Sequence, residues 1–441
     1  MAKNTIPGRI GIRQEDKDHT EQRAPLTPKH VQELTSTHGI EVLVCPAPNR
    51  IFEVEQYQAA GALITEDLSR CNIIFGVKEI PVDAFLPEHA YCFFSHTIKG
   101  QHYNMSMLQK MLEMECTLID YEKVTDGHNR RLILFGEFAG YAGMIDSLWT
   151  LGQRLLWEGI PTPFAELKQA NKYPSLQAAR QAVREIGEKI RRDGLPDEIC
   201  PFVCGFTGSG HVSHGAQEIY DLLQPAVVEP ENLHKTEKKP HLVQKAIFQR
   251  QHRFRPASSD RPFSATEFAG NPGAFENNFE QYLPYLTILI NGVYWEPGQP
   301  KLVTEQAVKS LYASPEMPRL RVIGDITNDI RGSIECNYRA TNSDNPVYVY
   351  NPFTRETIDG WEDNGPVILA VDKLPSELPR EASAFFGDAL LPFVPSLAHA
   401  NFELAEKHLE LPPAFARAVI AHQGQLTESF RYLQRSLQKT T

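Results

Sequence analysis

The stretch that decides the fold is Pro201–Leu223, PFVCGFTGSGHVSHGAQEIYDLL. Its apolar run Phe202–Phe206 is too short for a helix and is typical of a buried parallel strand. A tight turn, TGSG, follows the run, and the apolar residues from Ala216 to Leu223 then recur at helical spacing. This stretch therefore predicts a strand, a glycine turn and an amphipathic helix, in that order.

The glycine turn has the context that a dinucleotide-binding fingerprint requires. Its first glycine permits the turn, the second lets the backbone approach a pyrophosphate, and the new helix offers free N–H groups to that anion. The third fingerprint position is Ser213, which is small but is not glycine. An ordinary strand-to-helix turn is the alternative. We predict that the cofactor-binding residues here are Gly208, Ser209, Gly210, His211 and Val212.

Composition narrows the class of protein. The chain has 441 residues, is 41% hydrophobic and 22% charged, and carries a formal net charge of −11. This is the profile of a globular protein with two to three domains, and the acidic balance argues against nucleic-acid and anionic-membrane partners. No apolar run reaches the ~20 residues of a membrane span.

The seven cysteines lack zinc spacing, so we predict reduced thiols and no metal site. MAKNTIPGRI shows neither a secretory apolar region nor a transit peptide. We therefore expect a cytoplasmic protein, with the mitochondrial matrix as the alternative.

The first 130 residues alternate strands and helices. This pattern predicts a second open parallel α/β sheet upstream of the glycine turn. The predicted strands are 9–13, 40–45, 71–77, 90–94 and 116–121, and the predicted helices are 28–38, 57–62 and 103–114.

The domain division follows from these two sheets. A strand predicted at 130–135 leads into GEFAGYAG, whose small residues suggest a close helix crossing where two domains meet, and a connecting helix is predicted at about 145–158. We expect a substrate or catalytic domain at 1–135, completed by about 373–441, which crosses back through a helix that begins near Pro379. Residues 136–372 form the predicted dinucleotide-binding domain.

The second strand of that domain is predicted at Ala226–Glu229. Glu229 lies 21 residues beyond Gly208, where an acid can hold the adenosine ribose hydroxyls. The polar segment 231–281 is predicted as a long insert that is functional or partly ordered. Asn291 and Asp329 lie just beyond later apolar strands, at the strand ends where open α/β sheets bind ligands.

Two titratable residues follow neighbouring strands of the first sheet. Lys78 comes after the strand 73–77 and His96 after the strand 90–94, so both can point to one site. A lysine beside other cations shifts towards neutrality and histidine titrates near 6.5, so the two are a plausible acid–base pair. A solvated lysine and a capping histidine are the alternative.

Five further residues complete the predicted site. Guanidinium groups bind carboxylates bidentately, which favours arginine for an acidic substrate. The alternative for Arg23 is pairing with Glu15 or Glu21. Glu122, which follows the fifth predicted strand, could form a hydrogen bond with Lys78 or His96 or shift its pKa. The predicted substrate-binding residues are Arg23, Lys99, Glu122, Arg131 and Phe135.

The chain resembles the lysine–2-oxoglutarate reductase portion of aminoadipic semialdehyde synthases, within the superfamily of saccharopine dehydrogenases, alanine dehydrogenase and the transhydrogenase subunit. The stretches that carry the resemblance are GIRQEDKDHTEQRAPLTP, FGVKEIP, SHTIKGQ, LFGEFAGYAGMI, FTGSGHVSHGAQEI, INGVYWE, GDITNDIRGSIE and LPREAS. The resemblance implies two Rossmann-like doubly wound parallel-sheet α/β domains with a cleft between them. It also implies catalytic roles for Lys78 and His96 and places Asp329 at the nicotinamide end.

The activity that the resemblance implies is reductive condensation of L-lysine with 2-oxoglutarate to saccharopine. The alternatives are the reverse, NAD-dependent lysine-forming reaction, another opine or amino-acid dehydrogenase, and a catalytically silent nucleotide-sensing module. The resemblance favours NADPH, with Lys235, Lys238 and Lys239 as cations for its phosphate, whereas Glu229 favours NADH. We predict NADPH, with NADH as the alternative. The sequence allows a homo-oligomer.

Overall fold

A computed structural model describes residues 8–258, 261–315 and 317–438. The chain divides into two compact units. Unit 1 comprises the residues up to Phe135 together with those from Pro379 onward, and unit 2 is Gly136–Leu378. Each unit contains an eight-stranded, mostly parallel sheet, so the predicted α/β class is confirmed.

The strands of both units are numbered along the chain. They are β1 (Arg9–Ile12), β2 (Glu41–Val44), β3 (Leu63–Ile64), β4 (Ile73–Phe75), β5 (Ala90–Phe93), β6 (Thr117–Asp120), β7 (Phe202–Thr207), β8 (Ala226–Val227), β9 (Val243–Phe248), β10 (Phe254–Pro256), β11 (Phe275–Asn277), β12 (Ile288–Asn291), β13 (Val322–Asp325), β14 (Val347–Tyr350), β15 (Thr357–Asp359), β16 (Val367–Leu369), β17 (Val419–His422) and β18 (Gln425–Leu426).

The α-helices are numbered in the same way. They are α1 (Pro28–His38), α2 (Val54–Ala59), α3 (His102–Glu113), α4 (Gly136–Trp157), α5 (Leu176–Asp193), α6 (His211–Tyr220), α7 (Arg250–Arg253), α8 (Ala265–Gly270), α9 (Glu305–Tyr312), α10 (Pro379–Leu390), α11 (Val394–Ala398), α12 (Pro413–Ala416) and α13 (Gln434–Leu437).

The sheet of unit 1 has the order β18-β17-β6-β5-β4-β1-β2-β3. The chain starts in the middle at β1, builds β2 and β3 on one side, and then returns to build β4, β5 and β6 on the other, all in parallel. The direction of winding therefore changes between β1 and β4. Open α/β sheets bind ligands beyond the carboxyl ends of the strands at such a switch point.

Residues from both ends of the chain build unit 1. The strands β17 and β18 are antiparallel and extend the edge of the sheet beyond β6. Helix α1 has the bounds predicted from the sequence, 28–38. Thr27 has extended N-cap geometry, Pro28 occupies the first turn, and Gly39 ends the helix with φ of 63°.

The sheet of unit 2 has the order β15-β14-β16-β13-β12-β7-β9-β8. Six strands of this sheet are parallel, namely β8, β9, β7, β12, β13 and β16. At the other edge, β14 and β15 pair antiparallel. Its switch point lies between β7 and β12. The predicted glycine turn follows β7, so it lies at this switch point.

One strand of unit 2 contradicts the sequence prediction. Residues 231–281 were expected to be an insert, but Val243–Phe248 form β9, a full member of the sheet that lies between β7 and β8. The predicted second strand is therefore the edge strand. Its predicted ligand-binding acid, Glu229, follows this edge strand and precedes the 3₁₀ turn Pro230–Lys235.

The segment around residue 135 also differs from the prediction. Residues 130–135 do not form a strand and make a single bridge between Arg131 and Thr125. Helix α4 then begins at Gly136, earlier than expected. The close crossing predicted from GEFAGYAG exists, but both of its helices, α4 and α6, belong to unit 2. A Cβ added at Gly140 would overlap the backbone oxygen of Val212.

Candidate active site

The first predicted catalytic residue lies at the switch point of unit 1. Lys78 follows β4, and Glu15 follows the neighbouring strand β1. The Glu15 carboxylate accepts hydrogen bonds from the backbone N–H groups of Val77 and Lys78, with N···O distances of 2.7 and 2.9 Å. Burial of this carboxyl raises its pKa to about 7, against the opposing effect of Arg13. Glu15 thus holds the backbone that presents Lys78.

The charges around Lys78 favour its neutral form. Burial lowers the pKa of Lys78, and the nearby cations Arg23 and Lys17 lower it further, whereas Glu79 and Glu21 oppose them. Loss of hydration and positive neighbours both destabilise an ammonium group. An amine that releases its proton more easily than an ordinary lysine can exchange protons with a substrate.

Glu79 connects Lys78 to the second predicted catalytic residue. Its Oε1 lies 2.6 Å from His96 Nδ1, and its Oε2 accepts a hydrogen bond of 2.8 Å from Lys17 Nζ. Burial works to raise the pKa of Glu79, but the His96 contact and the Lys17 hydrogen bond outweigh it and hold the pKa well below its ordinary value. Because Glu79 is ionised, Nδ1 of His96 is the nitrogen that donates to it, which leaves Nε2 to face other partners.

The backbone of His96 is held by buried groups. His96 has a left-handed φ of 48°, and the Asn104 amide on α3 donates to the carbonyl oxygens of Ser95 and His96 over 3.0 and 3.3 Å. Asp120, at the end of β6, accepts hydrogen bonds from both the N–H and the hydroxyl group of Ser95. The ring of His96 stacks on Phe94 with 6.2 Å between centroids. These contacts fix the direction of the imidazole.

Arg23 is buried and paired with one of the two acids named as its alternative partners. Its guanidinium donates to Glu21 through Nε at 2.8 Å and Nη2 at 2.7 Å. The guanidinium also lies over the ring of Phe135, 4.3 Å from the centroid, and Phe135 stacks on Phe386 of α10. Burial works to raise the pKa of Glu21, but Arg23 reverses this effect and lowers it. Two atoms of the guanidinium fork are therefore occupied by Glu21.

The pair Glu122 and Arg131 corrects a prediction. Glu122 was expected to tune Lys78 or His96, but its carboxylate forms an ion pair with Arg131. Glu122 is held by its own N–H, which donates to Asp120 Oδ1 over 2.7 Å, and Asp120 also anchors Ser95. The Arg131 side chain is 49% exposed, so solutes can reach it. Lys99 lies on the same loop as His96, and its N–H donates to Gln101.

In unit 2 the glycine turn fits a dinucleotide. Gly208 has φ of 90°, and a Cβ at this position would lie 2.6 Å from the carbonyl oxygen of Gly292, so glycine is required. A Cβ at Gly210 would meet no atom within 4 Å, which leaves open space at the N-cap of α6. Ser209 is exposed beside this space, and His211 Nδ1 lies 3.1 Å from Glu137 Oε1. The N–H groups at the start of α6 can therefore donate to an anion such as a pyrophosphate.

The Asn291 side chain belongs to a buried network. It donates to Asp325 and Ser333 over 2.8 Å and accepts from the Thr207 hydroxyl, also over 2.8 Å. Burial raises the pKa of Asp325 to about 6, against its hydrogen bonds from Asn291 and Asn337. This network ties the ends of β7, β12 and β13 together. If Asn291 contributes to cofactor binding as predicted, it does so through its backbone or by holding this network in place.

One member of the predicted lysine cluster, Lys238, lies away from the glycine turn. Lys238 interacts electrostatically with Cys200, which precedes β7, whereas the turn follows β7. Lys239 pairs with Glu237, and Lys235 donates to Asn232. Lys238 thus lies near the wrong end of the sheet, so the predicted lysine clamp on a cofactor phosphate is wrong for this residue.

Sequence reasoning missed three groups of the unit 1 site. These are Lys17, Glu79 and Asn104, which form hydrogen bonds within the site. Glu79 directly follows Lys78 in FGVKEIP, so an acid beside a candidate lysine was a usable signal. Lys17 and Asn104 are brought in by a loop and a helix from elsewhere in the unit, which leaves no local signal.

Comparison with known protein domains places the chain in a family. Residues 11–142 match the N-terminal domain of alanine dehydrogenase/PNT, and residues 271–429 match the C-terminal domain. The chain belongs to the alanine dehydrogenase/PNT family. The catalytic candidates lie within the first matched segment, and the glycine turn lies between the two.

Similar proteins agree with this family. The chain is 38% identical to an alpha-aminoadipic semialdehyde synthase of Arabidopsis thaliana over 97% of its own length and 41% of that protein. It is 28% identical to a saccharopine dehydrogenase [NAD(+), L-lysine-forming] of Candida glabrata, over 86% of this chain and 88% of that protein. Thus the chain spans less than half of the synthase. The resemblance to the synthase family is confirmed.

A solved structure shows the same fold. An L-alanine dehydrogenase matches with a TM-score of 0.62 and 18% identity, over 98% of this chain and 100% of that chain. Among the residues that the structure describes, no helix is long and apolar enough to cross a membrane.

Proposed function

We propose that this protein condenses the ε-amine of L-lysine with the keto group of 2-oxoglutarate and reduces the imine to saccharopine, with NADPH as the hydride donor. The observation that carries the proposal is the Lys78–Glu79–His96 cluster, in which an ionised carboxylate lies beside a lysine and hydrogen-bonds a histidine. The 38% identity to the synthase of Arabidopsis thaliana supports the choice of substrates.

The reaction needs proton transfers that match this cluster. The lysine ε-ammonium must lose a proton before its nitrogen attacks the keto carbon to form a carbinolamine. The carbinolamine hydroxyl must then gain a proton to leave as water, which gives the imine. A base and an acid with pKa values near the working pH perform such steps best.

His96 is suited to the first transfer. The Glu79 contact directs the proton of the ring to Nδ1, so Nε2 can accept the proton of the substrate ammonium. The resulting imidazolium is stabilised by the ionised Glu79, because opposite charges at hydrogen-bond distance favour the charged form. His96 then returns this proton to the leaving hydroxyl group.

Lys78 is suited to hold the keto oxygen. In its protonated form it donates a hydrogen bond to the oxygen that becomes negative as the C–N bond forms. Its lowered pKa lets it release a proton to that oxygen, and the resulting neutral amine then takes up the proton that the substrate nitrogen must lose before water leaves. Arg131, which is half-exposed, and Lys99 supply positive charge for the substrate carboxylates, since the product carries three of them.

The cofactor residues are those of the unit 2 turn. The reduced nicotinamide supplies the hydride for the imine carbon when the cofactor is bound. The N–H groups at the start of α6 hold the pyrophosphate, Gly210 leaves room for it, and Asp329 serves the nicotinamide end as the family resemblance implies.

The test is oxidation of NADPH and NADH by the purified protein with defined substrate pairs. We expect absorbance loss with lysine plus 2-oxoglutarate and formation of saccharopine by mass spectrometry. Alanine or ornithine in place of lysine, and pyruvate in place of 2-oxoglutarate, are the controls. Turnover with another pair, or of saccharopine with NAD⁺ alone, would replace this proposal with an opine-type or a lysine-forming dehydrogenase.

The cysteines support a reducing compartment, such as the cytoplasm or the mitochondrial matrix. All seven are free thiols, and burial raises the pKa of Cys92 and Cys204 well above the ordinary value. Thiols in this state pack as small hydrophobic groups and do not need an oxidising environment.

A further inference from the structure

A cationic pocket adjoins the glycine turn of unit 2. It has a volume of about 340 Å³ and is lined by Gly208 and Ser209 on one side and by Phe248, Gln249, Arg250 and Arg253 on the other. Neither aspartate nor glutamate is among the described residues that line it. The pocket therefore carries two positive charges and has no carboxylate of its own to balance them.

Arg253 is buried in this pocket without full hydrogen bonding. The residue is 7% exposed, and its Nε has no hydrogen-bond partner in the described part of the chain. Burial lowers the pKa of its guanidinium to about 10, and the nearby Arg250 adds to this effect. A buried charge without a partner is costly, so such a group is kept where an anion can pair with it.

Arg250 adds a second, accessible cation. It is the first residue of α7, two residues beyond the end of β9. Its side chain is exposed, and no ion pair joins it to an acidic residue that the structure describes. Glu231 is paired with His252, the neighbour of Arg253 on α7, over 3.1 Å. Arg250 is therefore available to a ligand in the pocket.

The order of the sheet tells which part of a dinucleotide reaches this pocket. The strand that pairs with β7 on the side away from β12 is β9, not β8. In dinucleotide-binding folds, the residues just beyond this neighbouring strand contact the adenosine ribose. In this protein those residues are Gln249 and Arg250, whereas Glu229 follows the edge strand.

We propose that Arg250 and Arg253 bind the 2′-phosphate of the adenosine ribose and make this protein selective for NADPH over NADH. The inference rests on the proposed nicotinamide-dependent function and names the residues that choose the cofactor. A phosphate dianion matches the two unbalanced guanidinium charges, and Arg binds phosphate through parallel hydrogen bonds. The NADH ribose needs a carboxylate acceptor for its hydroxyl groups, and the residues that line the pocket offer none.

The experiment measures binding, so it does not depend on turnover. Calorimetry with 2′,5′-ADP and with 5′-ADP, and fluorescence titration with NADPH and NADH, are compared for the wild type and Arg250→Gln. We expect Arg250→Gln to weaken 2′,5′-ADP and NADPH by ten- to a hundredfold, as for a lost charge-assisted hydrogen bond, and to change 5′-ADP and NADH less than threefold. Arg253→Gln can disturb folding, so Arg253→Lys, which keeps the charge, is compared with it for thermal stability and NADPH affinity.

The matched control is Arg255→Gln, an exposed arginine of the adjacent strand that pairs with Glu276. This variant and Lys238→Gln should keep the wild-type preference. Equal loss of both cofactors in Arg250→Gln, an unchanged preference, or a wild-type preference for NADH would overturn the inference. Selective binding of 2′,5′-ADP by a protein that does not consume lysine and 2-oxoglutarate would uphold the pocket and refute the proposed substrates instead.

Discussion

The switch points of the two sheets differ in how their charges are balanced. At the first, the acids near Lys78 each accept hydrogen bonds: Glu15 from the backbone, Glu21 from Arg23, and Glu79 from Lys17 and His96. At the second, the pocket beside the glycine turn holds Arg250 and Arg253 and is lined by no described acid.

This difference corresponds to two kinds of chemistry. A cluster of paired acids and bases keeps its geometry while a proton moves through it, which suits catalysis. Two arginines that no described acid pairs with gain most from an anion that arrives from solution. Two sheets that both reverse their direction of winding would thus serve proton transfer in one unit and phosphate binding in the other, as we propose.

The largest expected effect comes from breaking the paired cluster. Lys78→Met and His96→Gln should lower kcat by roughly 10²–10⁴-fold, because each removes a general acid or base. NADPH affinity, measured by fluorescence titration, should stay within about threefold of the wild type, since the nucleotide residues belong to unit 2. The control is Lys29→Met, an exposed lysine on α1. Wild-type turnover in both variants, each at its own optimal pH, would contradict the assignment.

A second test concerns the ion pair between Arg131 and Glu122. Arg131→Ala should raise the KM for 2-oxoglutarate by roughly one to two decades, because a charge-assisted hydrogen bond to a carboxylate is lost. Glu122→Gln provides the contrast, since it frees Arg131 from its partner and should leave this KM unchanged or lower. If Glu122→Gln raised the KM as much as Arg131→Ala, the pair would be a structural contact and not a carboxylate-binding group.

A third, smaller effect distinguishes the two glycines of the turn. Gly210→Ala should weaken NADPH by about tenfold without changing the thermal midpoint, because its backbone is extended and the added methyl group occupies only the open approach. Gly208→Ala should lower the midpoint instead, since φ is 90° and the backbone of Gly292 is in the way. A loss of stability in Gly210→Ala would show that the approach is not free.

The last test concerns a pH dependence of stability that comes from Glu15. Its native pKa of about 7 lies above the ordinary value near 4.3, so the native state holds a proton that the unfolded state has released. The free energy of unfolding should therefore fall as pH rises from about 4.5 to 7, by at most about 1.4 kcal/mol per pH unit, and level off above that range. Urea titrations should show a flatter profile for Glu15→Gln than for the exposed control Glu55→Gln. Equal slopes would refute the raised pKa.

Sequence alone predicted the elements that local chemistry determines. Helix α1 lies between its N-cap Thr27 and Gly39, as predicted. It was recognised because caps and apolar periodicity act over a few residues. Strand β7 and the turn after it were recognised for the same reason.

Strand β9 was not predicted because it contains polar residues that are nevertheless buried in the folded protein. VQKAIF contains a glutamine and a lysine, yet both Gln244 and Lys245 are buried. Lys245 extends its ammonium to Asp221 over 2.7 Å and keeps its stem in the sheet. Only the tertiary partner makes this strand possible, so no local pattern could reveal it.

The pairings within the candidate site could not be predicted from the sequence. Lys78 and His96 were proposed because they follow strands, and the structure pairs His96 with Glu79 and Glu122 with Arg131. Arg250 was not considered, because its position depends on which strand lies beside β7. Strand order is a long-range property that spacing along the chain does not reveal.

The return of the chain to unit 1 at Pro379 has a consequence for synthesis on the ribosome. Phe386 stacks on Phe135, and the hydroxyl group of Ser383 accepts the N–H of Ala24 over 2.9 Å. Both residues of α10 are synthesised more than 200 residues after the partners that they contact. Unit 2 is continuous and can collapse while these residues are still being made, whereas contacts of such long sequence separation form late. During synthesis, Phe135 of unit 1 therefore remains without Phe386 until the last part of the chain has been made. In this interval a chaperone would have the most exposed surface to bind.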